Sequence, residues 1–325
     1  MTSSGFAILG RAALLPGPAT RFDADPDLKA DLHGERQATL VRTLSGQLSR
    51  KPDGMNRWSR LDRYGRALAE VSTRAVARNR DLELATGVVV SSQRSCHETN
   101  AVFDRGLIDK GPRLASPLLF PYTLPGAAVA EVAMLLQFGG PYLVFPGGPA
   151  AALASLVVAT DLLTASHAPR ALVVSADVLG QHTLRDLGSA RTPSELQFAE
   201  AAAAMWLGRA DDPAPGPRRQ VSAAFGPQTS DGAEVERLMR RVVDDARLRP
   251  EDLVELIIAS ATGSLCVTEA ATSLAPSTPI LQLAYRIGDA GAVLGLLAVQ
   301  VALDDEGPRL IYAAEPAAAV AMVVQ

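Results

Sequence analysis

Short apolar runs alternate with segments of helical periodicity along most of this chain. Between residues 58 and 79 the apolar positions Leu61, Tyr64, Leu68 and Val71 fall on one helical face while arginines take the others, which predicts an amphipathic helix. The alternation of such helices with β-rich runs is typical of a layered α/β fold. Strands are predicted at residues 6–10, 86–90, 142–145, 171–175, 201–207, 221–225, 253–260, 280–283, 309–314 and 317–324, and further helices at 129–138, 232–246, 268–274 and 290–303.

The second part of the chain repeats the rhythm of the first. A stretch rich in proline and aspartate, residues 209–218, separates the two parts and is predicted to be their junction. This divides the chain into an N-terminal half, 1–208, and a C-terminal half, 209–325, and the similar order of elements suits a duplicated fold. The internal sequence similarity is too weak to prove duplication by itself. Residues 21–52 are polar and poorly periodic, which indicates a long excursion rather than core.

Composition narrows the range of functions. The chain has 325 residues, 48% of them hydrophobic, which is enough to bury one large core or two related ones. Its net charge of -4 gives no basic surface, so nucleic acid is not an expected partner. The sequence does not open with a secretory leader, and no apolar segment is long and clean enough to span a bilayer. The predicted location is the cytoplasm, without a membrane partner.

Metal and cofactor sites have little support in the sequence. The two cysteines, Cys96 and Cys266, lie far apart and form no CxxC pair, which argues against a disulfide framework or a thiolate site. The histidines have no metal-binding spacing either, so neither a metal nor another cofactor is predicted. These histidines are His33, His97, His167 and His182.

Six segments resemble, in the right order, motifs of the β-ketoacyl synthase family. One contains a Pro-Glu-Asp turn that leads into an apolar strand, at residues 246–264, and another is a Gly-x-Ala-Gly-Ala helix at residues 285–303. The resemblance implies a thiolase-like fold, an α/β protein with two duplicated halves in a layered αβαβα arrangement. The other four segments are residues 6–17, 56–76, 110–128 and 194–208.

The same resemblance places the family's catalytic positions on residues that lack the required chemistry. In the family a Gly-Pro pair opens a short strand, and a cysteine begins the buried helix that follows the strand. Here the Gly-Pro pair is at 140–141, and the cysteine position falls on Pro149, or on Gly148 if the register slips by one. The two histidine positions fall on Ala261 and Tyr285. With neither thiolate nor imidazole, the resemblance implies a catalytically silent relative with no catalytic residues.

Other groups offer alternative chemistry. Ser92, Cys96 and Tyr285 are candidates for an acyl-thioester hydrolase or cyclase on the same fold. Cys96 and His97 are interpreted as neighbours in a strand, where adjacent side chains point to opposite faces, so a dyad is not expected. The glycine pair at 147–148 either cradles a phosphate at a helix N-terminus or serves as turn and cap before the helix.

A silent ketosynthase relative of this outline most resembles the chain-length factor of type II polyketide synthases. The resemblance implies pairing with an active ketosynthase and, through that partner, contact with an acyl carrier protein. The family's usual factor has glutamine at the cysteine position, and this chain is shorter, with contracted loops around residues 190–200 and around residue 264. A reducing or polyene-making system is therefore expected. A structural homodimer without a synthase partner stays open as an alternative.

Two groups of residues carry the expected interface. The strand Tyr142, Leu143, Val144 and Phe145 is predicted to be an apolar sheet edge that pairs with the partner subunit. By the same resemblance, apolar residues that precede this strand face the partner's acyl pocket and form the far wall of the substrate tunnel. The expected tunnel residues are Leu107, Leu118, Phe120, Tyr122 and Thr123.

Overall fold

A computed structural model describes residues 4–17, 20–21, 40–44, 46–48, 51, 58–77, 85–184, 197–214, 216–260, 264–304, 306–315 and 318–325. The strands are β1 (Ser4–Leu14), β2 (Thr20–Arg21), β3 (Leu40–Arg42), β4 (Gly87–Ser92), β5 (Tyr142–Pro146), β6 (Arg170–Asp177), β7 (Phe198–Ala199), β8 (Ala201–Arg209), β9 (Arg218–Gly226), β10 (Glu255–Ile258), β11 (Ile280–Gln282), β12 (Arg309–Glu315) and β13 (Ala318–Val324). The helices are α1 (Arg63–Val76), α2 (His97–Lys110), α3 (Pro125–Leu136), α4 (Pro149–Thr164), α5 (Gly232–Asp245), α6 (Ser264–Leu274), α7 (Leu283–Ile287) and α8 (Val293–Ala302).

The helices are of two kinds, and their sequences decide where they lie. Asp62 precedes α1 and accepts the Gly65 N–H at 2.8 Å, which satisfies an amide that has no partner within the helix. Asp231 caps α5 in the same way through the Ala233 N–H at 2.9 Å. These two helices are amphipathic, whereas α4 and α8 are apolar on nearly all faces and most of their residues are buried. The first kind therefore covers the surface, and the second forms the interior.

Ten strands form one mixed sheet in which the same motif occurs twice. The strand order is β11-β10-β12-β13-β9-β1-β8-β6-β4-β5. In the N-terminal half β4 is parallel to β5 and β6, while β8 is antiparallel to β6 and β1. In the C-terminal half β10 is parallel to β11 and β12, while β13 is antiparallel to β12 and β9. The halves join where β1 pairs antiparallel with β9, so the architecture is a duplicated one.

The two central helices are enclosed by strands of both halves. Helix α4 contacts β1, β4 and β6 of the N-terminal half and β12 and β13 of the C-terminal half. Together with α8 it shares one apolar core with the inner faces of these strands. Helices α1 and α3 cover the outer face of the N-terminal half, and α5 and α6 cover the outer face of the C-terminal half. The predicted αβαβα layering is confirmed.

The predicted strands and helices all correspond to observed elements, with ends that differ by a few residues. Helix α2 is an element that the periodicity does not predict. It buries Thr99 and exposes most of its other side chains, so it lacks the apolar stripe on which such a prediction depends. Strands β2, β3 and β7, which form a small separate sheet, are two or three residues long and are too short for a pattern to be recognised.

The connection between the halves is attached to the sheet. It runs from β8 to β9, which lie on either side of β1. Asp212 in this connection forms a buried ion pair with Arg170 at 3.1 Å, and the Ile8 N–H donates to the Pro217 carbonyl oxygen at 3.0 Å. The predicted junction is therefore a fixed connection within one sheet. The division after residue 208, just before the end of β8, stays a prediction.

Several predictions fall outside the described residues. These are most of the excursion at 21–52, the position Ala261, and much of the contracted loop at 190–200. Within the described parts of the chain, no helix is long and apolar enough to cross a membrane. The same parts contain no group of three or more His, Cys, Asp or Glu side chains suited to a metal ion.

Candidate functional site

Strand β5 and helix α4 meet in a tight turn near the centre of the molecule. β5 ends at Pro146 and α4 begins at Pro149, and Gly147 between them has a φ of +150°, a conformation that residues with side chains rarely adopt. Proline suits the first helical position because the N–H that it lacks would have no partner there. The first turn packs directly on α8, since a Cβ on Gly295 would lie 2.2 Å from the Pro149 carbonyl oxygen. The turn is therefore held between the two central helices.

This turn contains the position at which the resemblance to β-ketoacyl synthases predicts a nucleophile. Pro149 is buried and presents a saturated ring, and Gly148 has no side chain. Both lie at the start of α4, where a side chain on either would be next to the helix N-terminus. Neither residue has an atom that could attack an acyl group.

A carboxylate lies in front of the helix instead. Glu315 ends β12, and its Oε2 accepts a hydrogen bond from the Gly148 N–H. A Cβ on Gly147 or Gly148 would come within 3.0 Å of the Glu315 carboxylate, so both glycines are needed for this close approach. A helix N-terminus favours negative charge because its first amides lack partners and the helix dipole is positive there. The space considered for a bound phosphate is filled by a side chain of the protein.

A second carboxylate fastens the neighbouring turn. Asp177 ends β6, is fully buried, and accepts hydrogen bonds from the Ser92 hydroxyl at 2.9 Å, the Arg94 N–H at 2.6 Å and the Ala292 N–H at 2.7 Å. Loss of hydration on burial raises the pKa of Asp177 above its ordinary value, although the nearby Arg94 guanidinium opposes this shift. The Arg94 guanidinium also lies 3.4 Å from Asp289. These contacts connect the turn after β4 to the start of α8.

Of the residues considered for hydrolase or cyclase chemistry, two are held by hydrogen bonds inside the protein and one lies on the surface. The Ser92 hydroxyl donates a hydrogen bond to the buried Asp177 carboxylate. The Cys96 thiol is buried and donates to the Thr123 carbonyl oxygen at 3.0 Å, and burial raises the pKa of Cys96. A raised pKa disfavours the thiolate, which is the reactive form. Tyr285, on the short helix α7, is 54% exposed to solvent.

The interpretation of Cys96 and His97 as strand neighbours is wrong. β4 ends at Ser92, the chain turns through Ser95 with a φ of +37°, and His97 is the first residue of α2. The reason is local, since the polar run after β4 has no apolar residues to continue a buried strand. The Ser92 hydroxyl accepts the Ser95 N–H at 2.7 Å and stabilises the turn.

Glu200 connects three parts of the chain. It lies in segment 194–208, one of the six that resemble ketosynthase motifs. Its carboxylate is fully buried and accepts the N–H groups of Leu44 at 2.8 Å and Leu179 at 3.0 Å. Arg63, the first residue of α1, donates to both oxygens at 2.5 Å. Such a bidentate, charge-assisted pair with two further amide donors satisfies a buried carboxylate. The role of Glu200 is to hold β3, α1 and the segment after β6 together.

Strand β5 lies at the end of the ten-stranded sheet and, among the described strands, pairs only with β4. The hydrogen bonds show which way its backbone points, because the Val88 N–H donates to the Pro141 carbonyl oxygen and the Gly147 N–H donates to the Ser92 carbonyl oxygen. Backbone groups face alternate sides along a strand. The odd-numbered residues of β5 therefore face β4. Their even-numbered neighbours direct their N–H and C=O groups to the open side, which gives N–H donors at Tyr142 and Val144 because Pro146 has none.

The side chains of β5 differ in how exposed they are to solvent. Tyr142 is 57% exposed and Leu143 is 38% exposed, whereas Val144 and Phe145 pack partly against the two apolar cores on opposite faces of the sheet. The prediction of a sheet edge agrees with the strand order, and the role of these four residues in dimerisation stays a prediction.

An apolar surface surrounds this edge. We call it the edge surface; it comprises exposed side chains of α2, α3, β5 and the segment between α2 and α3, and these elements contact one another in series. Groups of exposed apolar side chains on neighbouring elements often mark interaction sites in proteins. Its residues are Val102, Leu107, Ile108, Leu114, Leu118, Phe120, Leu124, Met134, Tyr142 and Leu143.

Of the expected tunnel residues, Leu107, Leu118 and Phe120 belong to the edge surface. Tyr122 is partly buried, and its hydroxyl donates to the Glu131 carboxylate at 2.8 Å. Thr123 contributes the carbonyl oxygen that accepts the Cys96 thiol proton. The structure thus separates three surface residues from two that are held by contacts inside the subunit.

A cavity of about 230 Å³ lies beside the edge surface, between the start of α1, α2 and the segment after β6. Val102 and Leu119 line the cavity together with the buried Tyr64, and none of the expected tunnel residues does. No local sequence pattern predicts this cavity, because its walls come from segments far apart in the chain.

No protein-family model and no curated protein matches the sequence, but solved structures match nearly the whole chain. A structure described as the ishigamide ketosynthase/chain length factor is 19% identical, with a TM-score of 0.79 and 99% of each chain covered. A β-ketoacyl synthase from Burkholderia phymatum STM815 is 14% identical, with a TM-score of 0.82, covering 100% of this chain and 99% of that one. A chain of a structure described as a type II polyketide synthase acyl carrier protein in complex with its ketosynthase bound to the hexaketide is 11% identical, with a TM-score of 0.75, covering 100% of this chain and 99% of that one.

These comparisons define the class of the fold. At such low identities the likeness is one of three-dimensional structure, and it extends over essentially the full length of each matched chain. The chain has the thiolase-like fold of β-ketoacyl synthases, with the duplicated halves and central helices described above. What the chain does within this class depends on its site and surface.

Proposed function

We propose that this chain is a non-catalytic subunit, equivalent to a chain-length factor, that pairs with an active ketosynthase in a cytoplasmic type II polyketide synthase. The observation that carries the proposal is the start of α4, where Gly148 donates to the Glu315 carboxylate and Pro149 begins the helix. A thiol nucleophile is absent from this turn. The solved ketosynthase/chain length factor, and the ketosynthase in complex with its acyl carrier protein, support this assignment through their shared fold. We further propose that the system is a reducing or polyene-making one.

The edge surface supports the partner component of this proposal. Tyr142 and Val144 direct strand N–H groups, which have no partner strand within the described parts of the chain, to the open side of β5, next to exposed apolar side chains. An apolar sheet edge that stays open to water favours pairing with another chain. Interfaces of permanent complexes bury about 2,000 Å² or more, and the edge surface supplies exposed apolar side chains for such an interface.

Co-expression with a cysteine-bearing ketosynthase encoded nearby tests the proposal. We expect a stable one-to-one complex on size-exclusion chromatography, and an acyl carrier protein that is acylated through the ketosynthase of that complex. If this chain instead forms a stable homodimer and binds no such ketosynthase, the proposal is contradicted and a structural homodimer is favoured. Turnover of acyl thioesters by the purified single chain would instead indicate a hydrolase or cyclase.

Restoring the thiol should not restore condensation. Pro149→Cys supplies a sulfur at the start of α4, but the Glu315 carboxylate beside it opposes thiolate formation, and Tyr285 replaces one of the imidazoles that the reaction needs. We expect no product above the level of Pro149→Ala when the single chain is incubated with malonyl and acyl carrier protein thioesters. Measurable condensation by the Pro149→Cys chain would overturn the silent assignment.

Product length should respond to two opposite changes near the edge surface. Phe120 is 60% exposed and packs on Phe103 with ring centroids 5.9 Å apart, so Phe120→Ala should cost the isolated chain less than the about 3–5 kcal/mol typical of a buried phenylalanine. If Phe120 forms a tunnel wall in the complex, its truncation lengthens the products. Val102→Phe fills the adjacent cavity and should shorten them.

The measurement is the mass spectrum of products released by the reconstituted complex. Phe225→Ala is the matched control because Phe225 is 52% exposed, lies on β9 outside the edge surface and does not line the cavity. An intact complex that gives the wild-type product distribution with both Phe120→Ala and Val102→Phe would show that this region does not set chain length.

A further inference from the structure

Another cavity, of about 260 Å³, lies in the C-terminal half of the molecule. It is formed by the first turns of α5, the segment after β9 and the outer face of the sheet at β12, and we call it the outer cavity. In the ten-stranded sheet β1, β8, β6 and β4 lie between β9 and β5, so the outer cavity is remote from the edge surface. Its residues take no part in the proposed interface.

The buried side of the outer cavity is formed by Tyr312. This residue of β12 is 1% exposed to solvent and packs in the apolar cluster beneath α5. Its hydroxyl makes no hydrogen bond within the described parts of the chain. Buried polar groups normally have a partner, because a hydroxyl that loses water without gaining a hydrogen bond costs free energy. A ligand that accepts this hydrogen bond would remove that cost.

The Tyr312 hydroxyl can act as a donor at neutral pH. Burial raises the pKa of Tyr312 to about 12, and the nearby Cys266 side chain adds to the shift. A hydroxyl with such a pKa keeps its proton throughout the physiological range. The group that it faces in the cavity can therefore be a hydrogen-bond acceptor, including a negatively charged one.

Apolar side chains of α5 form another wall of the outer cavity. Val235 is buried, and Leu238 packs partly against the same cluster. Across from Leu238 lies Gly226, where a Cβ would come within 3.3 Å of the leucine side chain, so the glycine keeps this part of the cavity open. A mostly apolar lining with a few polar groups is typical of small-ligand sites.

The charged residues of the outer cavity have an excess of one positive charge. Arg237 and Arg241 line it together with a single carboxylate, that of Glu234. The Arg237 guanidinium lies 3.7 Å from a Glu234 oxygen, and both side chains are exposed, so their attraction is weak in water. A guanidinium has five N–H donors and can bind a second carboxylate beside the first. The lining thus favours a ligand with one negative charge.

We propose that the outer cavity binds a small monocarboxylate with a compact apolar body, such as an aryl-substituted short-chain acid. The carboxylate accepts a hydrogen bond from the Tyr312 hydroxyl and is attracted by the two arginines, while the apolar body packs on Val235 and Leu238. A compact body is required because ligand pockets usually have about 300–1,000 Å³, and this one lies just below that range. The site does not depend on the proposed pairing with a ketosynthase, so it goes beyond the proposed function.

Calorimetric titration of the full chain with phenylpropionate tests the proposal. We expect saturable one-to-one binding with a submillimolar Kd. Phenylpropanol has the same apolar body without the charge, and acetate has the charge without the apolar body. Each should bind at least about tenfold more weakly, because each loses one of the two kinds of contact.

Three variants locate the binding. Tyr312→Phe removes only a hydroxyl without a partner in the described chain, so the melting temperature should not fall, whereas affinity for phenylpropionate should fall about tenfold. Arg237→Gln should weaken phenylpropionate several-fold and leave phenylpropanol unchanged. Arg240→Gln is the matched control, because Arg240 pairs with Glu236 on the same helix and does not line the cavity. It should keep the wild-type affinity.

Two outcomes would overturn the proposal. One is the absence of saturable binding at millimolar phenylpropionate, and the other is an affinity that stays at the wild-type value in Tyr312→Phe. If Tyr312→Phe does not fold, Arg237→Gln decides the question, because Arg237 is exposed and its replacement leaves the core unchanged. Equal affinities of Arg237→Gln and Arg240→Gln for phenylpropionate would then show that the carboxylate does not bind in the outer cavity.

Discussion

Val144→Pro should strongly weaken the complex with the proposed ketosynthase partner while leaving the subunit itself folded. The Val144 N–H points to the open side of β5, as the alternation from Pro141 to Gly147 shows, so proline does not break the bonds between β5 and β4. An N–H is instead removed from the edge that the proposed interface uses, and the proline ring hinders an approaching strand. We expect affinity to fall on the order of 100-fold, about 3 kcal/mol, measured by titration of labelled subunits.

The control for this prediction uses the neighbouring residue. Leu143 faces β4, so Leu143→Pro should disrupt the intramolecular pairing and unfold part of the sheet, with a visible loss of thermal stability. Val144→Ala keeps the N–H and should retain most of the affinity. A Val144→Pro subunit that forms the complex in normal yield would place the interface elsewhere.

Glu200→Ala should destabilise the fold more than any single change at the candidate site. It leaves the Arg63 guanidinium and the amides of Leu44 and Leu179 without their acceptor inside the protein. The Arg63 side chain is 41% exposed and keeps access to water, so most of the cost comes from the two buried amides, at about 1–3 kcal/mol for each buried donor left without an acceptor. The free energy of unfolding, measured in urea, should fall by about this amount, and the chain should lose solubility on expression.

A surface pair provides the matched control. Asp211 pairs with Arg209 at 2.9 Å on the exterior of the protein, so Asp211→Ala should leave the unfolding midpoint unchanged. Glu200→Gln keeps the size of the side chain and should lie between wild type and Glu200→Ala. Equal midpoints for Glu200→Ala and Asp211→Ala would show that the buried network does not stabilise this fold.

The order and type of elements follow from local patterns in this chain. Periodicity predicts α1 because its apolar residues form one stripe, and it predicts β6 because a continuous apolar run of this length has to be covered on both faces. Periodicity does not predict helix α2, because an exposed helix has no apolar face. Segment resemblance, rather than periodicity, points to the thiolase-like fold, and solved structures confirm that fold.

The candidate site also has features that can be read from the sequence and features that depend on the fold. Residue identity shows a glycine and a proline at the start of α4, and only the family resemblance makes Pro149 the expected position of a thiol. The identity of Glu315 is equally visible, but its place is not, because nothing in the chain places it in front of a helix that starts 166 residues earlier at Pro149. The same holds for Asp177, whose donors come from the turn after β4 and from Ala292.

Residue type and short-range spacing determine the alternation of strands and helices, the glycine and proline at the start of α4 and the apolar character of β5, so these features can be read from the amino-acid sequence. The tertiary structure decided which carboxylate meets the helix N-terminus, which backbone groups face the open side of β5, and where a cavity lies beside Val102. Such features arise where segments distant in sequence are brought together by burial of the two central helices. A contact of this kind depends on the packing of the whole core, and no local pattern encodes it.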